Sequence, residues 1–138
     1  MSSKFESSIR EIKYPQAVVY KNLSDLSNLD RIRDKIPQDK LEDFSFDSDH
    51  IAVKVPMVGE IKMHIVDREE PKDIKFETEE SPVPFTFWIQ ILPVGEFSCK
   101  MKLTIKAELN PFIKGMVQKP LKEGLEKIAD VLQMIKYE

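Results

Sequence analysis

The chain has 138 residues, of which 41% are apolar and 33% charged, and its formal net charge is −3. That is the composition of one globular domain over residues 1–138, not of a disordered or fibrous chain. Lysines and acids interleave with no block of either sign, so nucleic acid has no basic stripe to meet.

The longest apolar stretch, around Phe87–Leu92, is far short of the roughly 20 residues of a membrane span. The opening Met1-Ser2-Ser3-Lys4-Phe5-Glu6 lacks the apolar core of a secretory signal. Cys99 is the only cysteine, which excludes an internal disulfide and a cysteine-based metal cluster and suits a cytoplasmic setting. The four glycines, at 59, 95, 115 and 124, are too scattered for a phosphate-cradling loop.

Residues Phe5 to Lys13 alternate, Phe5, Ser7 and Ile9 against Glu6, Ser8 and Arg10, which is the period of a half-buried strand. Pro15 then opens a helical stretch with Ala17, Val18, Leu23 and Leu26 on one side. Ser24 or Asp25 caps a second, with Leu26, Leu29, Ile32 and Ile36 at helical spacing up to Pro37. From Leu41 to Leu109 the period is two. Phe44 and Phe46 share a face, and Ile51, Val53 and Val55 follow the turn at Asp47–His50. After a turn at Pro56–Gly59, Ile61, Met63 and Ile65 alternate with Glu60, Lys62 and His64. Ile74, Phe76 and Thr78 come next, then Phe85, Phe87, Ile89 and Ile91 after the turn at Ser81-Pro82. Cys99, Met101, Leu103, Ile105 and Ala107 alternate with lysines in the last strand. Strands joined by short turns pair as antiparallel hairpins, with one apolar and one wet face.

Asn110 caps a final helix and Pro111 suits its first position. Phe112, Ile113, Met116, Val117, Leu121, Leu125, Ile128, Ala129, Leu132 and Ile135 trace one face of it. Its roughly 39 Å match the roughly 36 Å of a strand such as Pro84–Val94, so helix and sheet run end to end. Pro120 removes one helical hydrogen bond and clashes with the turn before it, and Gly115 and Gly124 weaken the helix on either side. A bend near Pro120 is expected, either to follow a curved sheet or to make the first segment a gate.

The fold class is therefore α+β: a seven-stranded curved antiparallel sheet around a long C-terminal helix, with two short helices after the first strand. A sheet roughly 30 Å wide is only partly covered by a helix about 10 Å across, which leaves room for an apolar cavity unless the phenylalanines fill it. Its expected lining is Met63 and Ile65, Phe76, then Phe85, Phe87 and Ile89, then Met101 and Leu103 from the strands. Phe112, Met116 and Leu121 would face it from the helix. Methionine suits surfaces that adapt to varied apolar shapes, and equally fills core gaps.

The opening strand Phe5-Glu6-Ser7-Ser8-Ile9, the pair of helices between Pro15 and Pro37 with Leu26-Ser27-Asn28-Leu29, and the run Asn110-Pro111-Phe112-Ile113-Lys114-Gly115-Met116 resemble the START/SRPBCC superfamily. That superfamily includes birch-pollen-allergen-like proteins and bacterial polyketide cyclase and lipid-transport members. The likeness covers almost the whole chain and implies a helix-grip fold with an internal ligand cavity. The glycine-rich loop of the plant members is absent; Val58-Gly59-Glu60 stands in a comparable turn.

No catalytic or metal-binding constellation emerges, and no cofactor is implied. His64 has the parity of the charged face, and His50 belongs to a turn without the ligand spacing of a calcium loop. Cys99 has inward parity and no expected base to make it a thiolate. Glu11 and Glu108 lie at strand ends near a cavity rim, where either could meet a polar ligand head or form a salt bridge. Trp88 faces outward, shielded by the stems of Lys100 or Lys102, or forms a partner surface such as a homo-oligomer. The expected function is binding or transport of a small hydrophobic or amphipathic ligand, such as a lipid, isoprenoid or polyketide-like molecule. The alternatives are a polyketide cyclase/aromatase-like enzyme, as the resemblance permits, and an interaction module resembling chaperone-ATPase activators.

Overall fold

The alternation that begins at Phe44 resolves, in a computed structural model, into consecutive antiparallel hairpins. The structure describes residues 2–25, 44–46, 49–55, 59–79, 84–135 and 137. Strands β1 (Ser2–Glu6) and β2 (Arg10–Ile12) lead into helix α1 (Gln16–Ser24). Then come β3 (Phe44–Phe46), β4 (His50–Val55), β5 (Gly59–Glu69), β6 (Asp73–Thr78), β7 (Thr86–Gly95) and β8 (Ser98–Glu108), followed by helix α2 (Pro111–Met134). The second short helix expected after Ser24 lies outside the described residues.

The sheet order is β1-β8-β7-β6-β5-β4-β3, with β2 also on β8. β1 and β2 are two lengths of one edge strand. Glu6 pairs with Thr104 but Arg10 pairs with Met101, so the edge carries one residue more than β8 across the break. An extra residue inverts the side-chain parity beyond it. Ile9, expected inward, is accordingly exposed, while Ile12 turns in opposite Cys99. A second slip between Ile65 and Asp67 of β5 leaves Val66 without a register partner on β6 and exposed. Gly59 opens β5 with φ of 107°, a backbone conformation that favours glycine.

Between these irregularities the inner face follows the alternation. Ile61, Met63, Ile74, Phe76, Phe87, Ile89, Ile91, Met101 and Leu103 are all at most 1% exposed. Phe76 and Phe87 meet edge to face at 5.4 Å, a geometry that favours the positive ring edge against the negative face. α1 buries Val19, Tyr20 and Leu23 against β6 and β7. α2 runs unbroken from Pro111 to Met134 through Pro120 and buries Leu121, Leu125, Ile128, Ala129, Val131 and Leu132. Tyr137 closes the far end, its hydroxyl donating to the Leu132 carbonyl at 2.6 Å and its ring edge-on to Tyr14.

Candidate ligand-binding site

Beneath the middle of α2, side chains of β4, β5, β7 and β8 converge on the helix. Val53, Ile61, Met63, Phe85, Phe87 and Ile105 face Leu121, Gly124, Leu125 and Ile128 around one internal space. No polar side chain among the described residues lines it. The polar groups expected near this face are engaged by backbone: Thr78 Oγ1 accepts from Phe85 N at 3.2 Å, and Ser7 Oγ accepts from Leu103 N at 2.9 Å. As it stands the space measures about 10 Å³, which is at most the room one water needs. Among the described residues, Phe85 and Phe87 are the aromatic side chains that line it.

The expected lining residues divide into three groups. Met63, Phe85, Phe87 and Leu121 meet at the space itself. Phe76, Ile89, Met101 and Leu103 are buried in the surrounding core, and Ile65 is partly buried against it. Phe112 and Met116 stand apart from both: at 78% and 59% exposure they face solvent. Every residue from Pro111 to Met116 is exposed, and Val117 is the first that the core buries. Val53, Ile61, Ile105, Gly124, Leu125 and Ile128 join the lining although sequence reasoning did not single them out for it. The helix stripe held a signal for Leu125 and Ile128.

The two parts of α2 are held very differently. Arg10 reaches from β2 to Asp130 Oδ1 at 2.6 Å, Gln133 Oε1 at 3.0 Å and Glu126 Oε2 at 3.3 Å. Ser8, in the break of the edge strand, donates its backbone N–H and hydroxyl to the Glu126 carboxylate at 2.6 and 3.0 Å. Gln133 Nε2 donates to the Glu11 carbonyl, and Lys122 Nζ to the Glu6 carbonyl. All these ties fall after Pro120. Before it, Asn110 Oδ1 caps Ile113 N at 2.9 Å, and a Cβ at Gly115 would meet nothing within 4 Å.

Titratable groups lie away from the inner space. Cys99 is buried on the inner face, and desolvation pushes its thiol up, away from the thiolate a nucleophile requires. His64 sits on the outer face opposite His50. His50 Nε2 and His64 Nδ1 lie 3.1 and 3.2 Å from Glu79 Oε1, the second outside hydrogen-bond geometry. Glu11 and Glu108 are both exposed; on β8 the odd positions turn inward, so Glu108 points out. Trp88 is on the outer face as expected, but Lys75 of the neighbouring strand, not Lys100 or Lys102, lies over its ring, at 5.9 Å. The register explains this, because Trp88 stands directly between Lys75 and Thr104.

No protein-family model matches the chain, and no curated protein matches it. Solved structures do resemble it. Norcoclaurine synthase from Thalictrum flavum, in complex with dopamine and hydroxybenzaldehyde, superposes with a TM-score of 0.71 at 17% identity, over 96% of this chain and 85% of that one. A START superfamily protein from Mycobacterium smegmatis gives 0.63 at 15%, over 96% and 94%. An aromatase/cyclase from a Streptomyces species gives 0.63 at 11%, over 97% and 92%. The chain has a START/SRPBCC-type helix-grip fold. At these identities the likeness is one of architecture.

Proposed function

We propose that the chain binds a small hydrophobic or amphipathic molecule, of the lipid, isoprenoid or polyketide-like class, between α2 and the inner face of the sheet. The observation that carries this reading is a wall where the helix crosses the strands that holds no polar side chain among the described residues. Apolar concavities with sparse polar contacts are the usual form of ligand sites. A space of about 10 Å³ admits such a guest only if α2 yields. The residues of α2 that line the space, Leu121, Gly124, Leu125 and Ile128, lie in the part tied to the edge strand after Pro120, while the first six residues bury nothing, so the helix would have to lift from its loosely held leading end. The named ligands of norcoclaurine synthase support an organic guest for this fold without specifying one here.

The test is native mass spectrometry of gently purified protein, before and after addition of dodecanol. One molecule per chain is expected in the wild type. Gly124→Ala, which narrows the space by one methyl group while removing a helix-weakening glycine, should fold and weaken the adduct. A bare chain mass from several hosts and with added dodecanol would defeat the proposal. It would favour the interaction-module reading, for which the small size of that space is the supporting observation.

A further inference from the structure

The burial alternation of β7 stops at Ile91, and every residue from Leu92 to Phe97 is exposed. Ile91 itself is fastened on both sides. Gln16 Nε2 of α1 donates to its carbonyl at 2.9 Å, and its own N–H donates to the Lys72 carbonyl at 2.7 Å. Beyond it β7 and β8 pair with each other as far as Gly95 and Ser98, which leaves Glu96 and Phe97 as a two-residue turn.

This free end of the hairpin is apolar where turn geometry asks for nothing apolar. Two-residue turns favour glycine, asparagine or aspartate, yet Phe97 stands here at 75% exposure, with Leu92 at 62% and Val94 at 53%. Ile9, turned out at the break in the edge strand and 65% exposed, shares a surface cleft with Leu92. The four residues offer on the order of 500 Å², the size of patches that carry function. That is short of the roughly 800 Å² per partner of a stable protein–protein interface. Charge does not select a partner either. Lys102 Nζ is 2.6 Å from Glu6 Oε2, Lys100 stands in register opposite Glu11, Lys72 acts on Asp73, and the turn adds the carboxylate of Glu96. What this end offers a partner is apolar surface on a projecting tip. A folded partner would need a matching hollow, whereas a fluid bilayer conforms to the tip and binds in proportion to the apolar area it takes up.

We propose that the β7–β8 hairpin docks the chain reversibly on the surface of a lipid bilayer, with Phe97 and Val94 entering the interface and Leu92 and Ile9 resting against it. The attachment is apolar, so it requires no anionic lipid. It does not rest on the guest proposed for the inner space. Nor does it use the exposed start of α2: β8 carries the chain about 36 Å from Ser98 at the hairpin to Glu108, which places Phe112 and Met116 at the other end of the sheet.

The test is flotation of the protein with phosphatidylcholine vesicles through a sucrose gradient, in low and in high salt. The wild type should float with the vesicles to the same extent in both. Leu92→Ser with Phe97→Ser, both at exposed positions and expected to fold, should lower the partition coefficient by about tenfold or more, the equivalent of about 1.4 kcal/mol. Phe112→Ser with Met116→Ser should leave it unchanged. Phe97→Trp in a Trp88→Phe background should shift its emission to the blue when vesicles are added. The proposal is overturned if the wild type stays at the bottom of the gradient, or if flotation survives the Leu92 and Phe97 pair. It is overturned equally if flotation follows the Phe112 and Met116 pair, or if the hairpin variants abolish a dimer in sedimentation velocity while no flotation is seen. Dodecanol binding read by native mass spectrometry should be the same in the hairpin variants as in the wild type, so the two proposals fail separately.

Discussion

Phe87 lies at the centre of the inner face, fully buried between Phe76 and the underside of α2. Phe87→Ala should therefore cost about 3–5 kcal/mol, the usual range for a core aromatic whose cavity collapses only in part. Urea unfolding would measure it, and a loss below about 1 kcal/mol would mean that the core refills freely. Cys99 leads to a prediction of another kind. Its burial and raised pKa should keep it unreactive toward a disulfide reagent at neutral pH until the chain unfolds. Rapid labelling of native protein would contradict that placement. At Glu126, burial acts to raise the carboxyl's pKa, but hydrogen bonds from the Ser8 backbone and hydroxyl and from Arg10 bring it below the ordinary 4.5. A folded value below the unfolded one gives stabilisation that is complete above about pH 4.5 and is lost as pH falls through the folded value. Glu126→Gln should thus lower stability at pH 7 and flatten the decline below pH 4.5. A variant whose urea midpoints track the wild type from pH 7 to pH 3 would contradict this.

At the scale of elements, the edge strand and α2 depend on one another. The break at Ser7–Ile9 presents Ser8 and Arg10 to the helix, and three side chains of α2, Glu126, Asp130 and Gln133, answer them, while Lys122 reaches the Glu6 carbonyl beside the break. Arg10→Lys keeps the charge but loses the planar fork that reaches Asp130, Gln133 and Glu126 together. It should lower stability by about 1–2 kcal/mol, in line with hydrogen bonds to charged groups, measured by thermal or urea unfolding. Strand identity was legible in the sequence because parity is a strict signal: Ile61 and Met63, Phe87 to Ile91 and Cys99 to Ala107 are buried as their alternation requires. The breaks in parity were not legible. One inserted residue at Ser7–Ile9 or at Val66 looks like any other residue in a period-two pattern, and only the register with β8 or β6 exposes it. The helix stripe was legible as a face but not as a length. Phe112 and Met116 share the apolar stripe with Leu121, yet the core first buries the helix at Val117. Nothing local to Phe112 records where its neighbours end.

For the whole molecule, the inner face, the closed space and the unequal fastening of α2 form one mechanical arrangement. Leu121 to Ile128, which line the space, belong to the part of α2 fixed to the edge strand after Pro120, and the part before it is held by little more than its cap, so an apolar guest would enter only if the loosely held leading part lifts and draws the lining part with it. Such a motion would be a local opening, distinct from unfolding of the sheet. Amide hydrogen exchange along α2, with and without saturating dodecanol, tests this most directly. Amides from Lys114 to Lys119 should exchange faster than those from Leu125 to Leu132 in the free protein, and those from Val117 to Leu125 should slow when dodecanol is bound. Protection as firm before Pro120 as after it, unchanged by dodecanol, would contradict the account.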